Sequence, residues 1–169
     1  FGNWDILGWH QNGGKTSVVE RSTFNEFQAA FSPDGRWLAY VSDLSGRLEV
    51  YVRPYPGSGA RVPVSTDGGA EPQWGPDSKE LFYVRGHSLM RVAVKTTPEF
   101  SASKPEVLFE GRYRRSIGSP GFTSYSISSD GRRFLMVKPG AGGDAPSAPA
   151  SLVVVEHWTE ELKRLVPTK

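Results

Sequence analysis

Three aspartates recur in one setting. Asp34 lies in Ser32-Pro33-Asp34-Gly35, Asp77 in Gly75-Pro76-Asp77-Ser78 and Asp130 in Ser128-Ser129-Asp130-Gly131. A carboxylate can act as acid, base or metal ligand, so a thrice-repeated aspartate is first a candidate for chemistry. The neighbouring residues favour a turn instead. Proline presets φ at the first corner, glycine accepts the positive φ at the exit, and an aspartate between them accepts hydrogen bonds from its own backbone amides. We therefore read Asp34, Asp77 and Asp130 as structural turn residues. The histidines, His10, His87 and His157, have no metal-ligand spacing, so no metal site is expected. With no cysteine, disulfides, thiolate metal sites and a cysteine nucleophile are excluded. No G-x-S-x-G, H-E-x-x-H, phosphate-binding Gly-rich loop or kinase triplet occurs. The sialidase-type aspartate box fails too, because Gly35 falls one residue too early. The sequence thus points to no catalytic residue, no cofactor and a non-enzymatic role.

One stretch does carry binding chemistry. Within "EGRYRRSIGSPGF", residues 110–122, Arg112, Arg114 and Arg115 surround Tyr113. Three guanidiniums and an aromatic ring suit an acidic peptide or a phosphate.

These residues need elements to position them. After each aspartate comes an apolar run: Leu38-Ala39-Tyr40-Val41, Leu81-Phe82-Tyr83-Val84 and Phe134-Leu135-Met136-Val137. Such runs do not alternate, which predicts strands covered on both faces. Asp77 follows Asp34 by 43 residues and Asp130 follows Asp77 by 53. The first interval is the period of a four-stranded propeller blade, and the second adds an insertion. Calling the strands of a blade a to d, the order is c-d, a-b-c-d, a-b-c-d and a-b-c, about thirteen strands in all. Nineteen glycines and thirteen prolines between short apolar runs agree with an all-β chain. The expected divisions are a partial blade at 1–21, blades at 22–66 and 67–110, and a partial blade at 111–169. The stretch 139–150 reads as a flexible loop, and 159–165 as a short terminal helix. The formal charge of +2 gives no reason to expect nucleic acid. No run approaches the ~18 apolar residues of a membrane span, so no membrane insertion of this segment is expected.

The repeated "SPDG" turn followed by an aromatic-rich strand resembles the TolB-like, WD-repeat-like β-propeller repeat of bacteria. The closing "HWTEELKRLVP" is similar to the end of propeller regions behind bacterial serine/threonine kinases, although no kinase motif is present. The resemblance runs from about Asp5 to Pro167. It implies a propeller fold, a protein or peptide partner and a periplasmic or extracytoplasmic location. Two full and two partial blades fall short of a ring, so a homodimer or further blades are expected to complete it. In an up-and-down blade the aspartate turns share one face with the c–d loops. The b–c loops and d–a crossovers share the other, which places Arg47, His87, Asn25, Glu26, Asp43, Asp67 and Glu71 with the basic crossover. Arg47, His87 and residues 112–115 are the predicted ligand-binding set. An accessory propeller beside a hydrolase or peptidase domain is the alternative reading.

Overall fold

A computed structural model describes residues 3–57, 59–114 and 122–138, with the backbone of 151–155. Among these residues there are fourteen strands and no helix. β1 (Ile6–His10) and β2 (Lys15–Glu20) form a two-stranded ribbon. β3 (Glu26–Phe31), β4 (Trp37–Ser42), β5 (Glu49–Pro54) and β6 (Val62–Pro63) form an antiparallel sheet in chain order. β7 (Ala70–Trp74), β8 (Glu80–Arg85) and β9 (Ser88–Lys95) begin the next sheet. β10 (Ser101–Ala102) and β11 (Glu106–Glu110) pair with opposite ends of β9. β12 (Tyr125–Ile127), β13 (Phe134–Lys138) and β14 (Ser151–Val155) form the last sheet.

β10 is the one strand the sequence pattern misses. Two small residues between Pro98 and Pro105 carry no alternation, and only pairing with Val94 and Lys95 defines them. The loop reading of 139–150 and the helix reading of 159–165 lie outside the described residues.

The apolar runs become the middle strands, and their two faces serve different neighbours. All of β4 is buried. Its Trp37, Ala39 and Val41 pack with Trp74, Leu81, Tyr83 and Met90 of the next sheet. Its Leu38 and Tyr40 face the other way, against Ile6 and Val19 of the ribbon. Phe82 and Val84 of β8 meet Phe134 and Met136 of β13, with Phe82 and Phe134 edge-on at 5.1 Å. Each fully buried Leu, Val or Phe contributes about 1.5–3 kcal/mol, so the sheet–sheet junctions supply most of the stability. The third run departs from expectation: Leu135 is 40% exposed, because no further sheet covers that face among the described residues. Ile6 also turns inward, whereas Leu7, Trp9 and Val18 form the ribbon's open face.

One backbone clip recurs at every crossover. A carbonyl just ahead of each third strand of a blade, one residue before it at Leu48 and His87 and two before it at Trp4, accepts a backbone N–H at an end of the crossover that follows. Glu26 N–H donates to the Trp4 carbonyl at 2.7 Å, Gly69 to Leu48 at 2.9 Å and Gly111 to His87 at 3.0 Å. A side-chain pair backs each clip: Arg21 with Asp5, Ser65 with Glu49, and Ser88 with Glu110. The crossovers are thereby tied to the loops of one face.

Candidate functional site

The clip at His87 assembles the best-defined part of that face. Gly111, held to the His87 carbonyl, starts the crossover, and Tyr113 N–H turns back onto the Gly111 carbonyl at 2.9 Å. Arg114 N–H then reaches the Val137 carbonyl at 2.6 Å, which ties the crossover to the last sheet. His87, Tyr113 and Arg114 consequently line one small cleft with Ser124, floored by Val84, Leu89 and Met136. His87, Arg112 and Arg114 are exposed, and Arg85 is half-buried at the end of β8. The Tyr113 ring is committed to packing, 5.8 Å from Phe109. Arg115 lies outside the described residues.

Arg47 sits apart from this group, in a cleft of its own blade. Its Nε lies 2.8 Å from the buried Glu49 carboxylate, and its Nη2 donates to the Thr66 carbonyl. Glu49 also accepts from the Ser65 hydroxyl and from Gly68 N–H. Arg47 thus anchors a crossover in this structure. Asn25 and Asp43 pair on the same face. Hydrogen bonding from the Asn25 side chain holds the Asp43 carboxyl below the usual carboxylate range. Glu26 accepts the Ser22 hydroxyl at 2.5 Å, while burial pushes its carboxyl up.

The aspartates occupy tight turns on the opposite face. Asp34 accepts the Ser32 hydroxyl at 2.5 Å, Arg36 N–H at 3.2 Å and the Arg36 guanidinium. Asp130 accepts the Ser128 hydroxyl at 2.5 Å and Arg132 N–H at 3.0 Å. Hydrogen bonding from the serine, above all, holds each of these two carboxyls below its ordinary value. Asp77 has only Lys79 N–H at 3.0 Å and a long ion pair with the same lysine, because Gly75 stands where the other copies have serine. Ser78 takes φ +59°, matching Gly35 at +69° and Gly131 at +72°.

A set of inter-blade contacts went unread in the sequence, which places Glu71 on the crossover face but gives it no such role. Gln28 and Glu71 occupy equivalent bulges in β3 and β7, at φ +51° and +57°. Gln28 Oε1 accepts Glu71 N–H at 2.9 Å, and Glu71 Oε2 accepts Ser124 N–H at 2.5 Å and the Ser124 hydroxyl at 2.7 Å. Each bulge side chain therefore grips the backbone amide of its counterpart in the following blade. Gln28 Nε2 also donates to the Phe122 carbonyl, and the buried Tyr125 hydroxyl to that of Glu71. The available signal was a Gln and a Glu 43 residues apart, each breaking strand alternation. Among the described residues no three His, Asp or Glu side chains gather as metal ligands.

No family model and no curated protein sequence matches the chain at a significant level, and its likeness lies in solved structures. A protein assigned as TolB from Agrobacterium tumefaciens superposes with TM-score 0.63 at 17% identity, covering 94% of this chain and 55% of that one. Oligogalacturonate lyase from Vibrio parahaemolyticus gives 0.55 at 15% identity, covering 78% and 35%. A puromycin-hydrolysing peptidase from Mycobacterium tuberculosis gives 0.52 at 13% identity, covering 94% and 35%. The chain has the TolB-like β-propeller fold and spans between about a third and about half the length of these structures.

Proposed function

We propose that the chain is a non-enzymatic binding module whose crossover face recognises an acidic peptide segment of another protein. The observation that carries this reading is that His87 and Arg114 line one cleft, with Arg85 and Arg112 in the same b–c turn and crossover segments. Glu110 is the acidic residue of that stretch, and it is engaged by Ser88. A clipped backbone has little freedom of its own left to lose on binding, and Arg offers a carboxylate two parallel donors. The test selects peptides on the immobilised chain and measures their affinity by fluorescence anisotropy. Acidic peptides should be enriched, and changing Arg112, Arg114 and Arg115 to Ser should weaken binding about tenfold or more and flatten its salt dependence. Binding that survives the triple change at low salt would sink the proposal.

The second reading is an accessory propeller beside a hydrolase domain. The superposition on part of a peptidase supports it. Reading the complete open reading frame separates the two: a hydrolase domain in the same chain favours this one.

A further inference from the structure

The β1–β2 ribbon ends in the tip Gln11-Asn12-Gly13-Gly14, closed by the pairing of His10 with Lys15. Every residue of the tip is exposed, and a side chain at Gly13 or Gly14 would meet nothing within 4 Å. The Asn12 side chain has no hydrogen-bond partner among the described residues. An asparagine followed by glycine can react with its own backbone. The next amide nitrogen attacks the side-chain carbonyl carbon, and glycine leaves that nitrogen unobstructed because it has no Cβ.

The chain has three asparagines, and the fold holds the other two back. Asn25 donates its side-chain amide to Asp43 at 2.6 Å and accepts Trp4 N–H at 3.2 Å. The attacking amide it would need, Glu26 N–H, is held by the Trp4 carbonyl at 2.7 Å. Trp4 N–H is in turn the amide that Asn3 would need, so the bond to Asn25 restrains both sites. The aspartate–glycine pairs are restrained likewise. Gly35 N–H is held by the Ser32 carbonyl at 2.8 Å, Gly131 N–H by that of Ser128 at 2.9 Å, and Gly68 N–H by the Glu49 carboxylate at 2.9 Å. An ionised carboxylate is also a poorer electrophile than an amide carbonyl. Gly13 N–H has only the Gln11 carbonyl, at 3.1 Å, across an exposed three-residue turn centred on Asn12. Such a turn opens at little cost.

We propose that Asn12 is a self-modifying site that converts the ribbon tip to a mixture of aspartate and isoaspartate. Gly13 N gives up its proton to water or hydroxide and bonds to Asn12 Cγ. The Cγ–Nδ2 bond breaks, and the side-chain nitrogen takes a proton and leaves as ammonia. Water then opens the five-membered imide. Opening at Cγ gives aspartate, and opening at the backbone carbonyl carbon gives isoaspartate, whose main chain runs through Cβ and Cγ. A neutral amide becomes a carboxylate, so the formal charge falls by one from +2. The added backbone atom enters the tip, outside the ladder that His10 and Lys15 close.

Peptide mass mapping tests this on the folded chain aged at mildly alkaline pH, beside a sample unfolded in guanidinium chloride. Asn12 should gain about one dalton, the difference between –NH₂ and –OH, with more isoaspartate than aspartate. Its rate in the folded chain should lie within about fivefold of the unfolded rate, while Asn3 and Asn25 react only in the unfolded sample. Asn12→Gln should remove the signal, because glutamine would need a slower six-membered ring. Gly13→Ala should slow it about tenfold, because a Cβ crowds the attacking nitrogen. The proposal is overturned if Asn12 stays unmodified in the folded chain, whether or not the unfolded chain reacts. It is equally overturned if Asn3 or Asn25 reacts first in the folded chain, or if aspartate forms without isoaspartate, the mark of direct hydrolysis.

Discussion

At the scale of single residues, the turns differ in how much each aspartate holds. Asp34 has a serine hydroxyl, a backbone amide and a guanidinium, whereas Asp77 has one amide and a long lysine contact. Asp34→Ala should cost about 1–2 kcal/mol and Asp77→Ala about 0.5, read from urea midpoints. Equal losses would show that the serine adds nothing. The Asp34 carboxyl titrates below its unfolded value, so its contribution is complete above about pH 4 and lost as pH falls through the folded value. Between pH 6 and pH 3 the Asp34→Ala variant should accordingly lose less stability than the parent chain. Ser78 is the complementary case. It holds at φ +59° a conformation the other two turns give to glycine. Left-handed φ costs a non-glycine residue about 1–2 kcal/mol, partly offset by the entropy glycine loses on folding. Ser78→Gly should therefore raise stability by up to about 1 kcal/mol, and a lower melting temperature would contradict this.

At the scale of elements, the bulge side chains set how one blade meets the next. Glu71→Ala leaves Ser124 N–H and its hydroxyl without their acceptor, which should cost about 2–3 kcal/mol. Glu71→Gln keeps an acceptor oxygen, as Gln28 does one blade earlier, and should cost less than half of that. Thermal melts of both variants check the order, and equal destabilisation would mean the charge rather than the geometry matters. These clamps mark where the sequence stopped being legible. The turns and middle strands could be read because Pro, Asp and Gly have local backbone preferences and buried strands need apolar runs. The clips at Leu48 and His87 are backbone bonds, so no side chain announces them. Glu20, Arg53 and Arg61 meet only through the stacking of two sheets. Within the basic stretch, the spacing placed His87, Tyr113 and Arg114 on one face, and in the structure they line one cleft. It could not foresee that Arg47 is taken up by Glu49 and Thr66.

At the scale of the whole molecule, the described sheets end in open faces. Leu7, Trp9 and Val18 are 58%, 64% and 50% exposed on the ribbon, where a further blade would pack in a ring. Contiguous apolar surface of this kind drives association, so the isolated chain should form dimers at micromolar concentration through the ribbon face. Sedimentation across a concentration series reads this out, and changing Leu7 and Trp9 to Ser should return it to monomer. A well-folded monomer at every concentration would refute it. The contacts between blades have a mechanical consequence as well. Within a sheet, strands are joined by continuous ladders, but neighbouring inner strands are gripped at isolated points such as Glu71 on Ser124. Stretched from its two ends, the chain should part between blades before any ladder tears. Each separated repeat of 43 residues would then pay out about 150 Å of contour length as its own ladder tears in turn, so a force–extension trace would show a staircase rather than a single rupture.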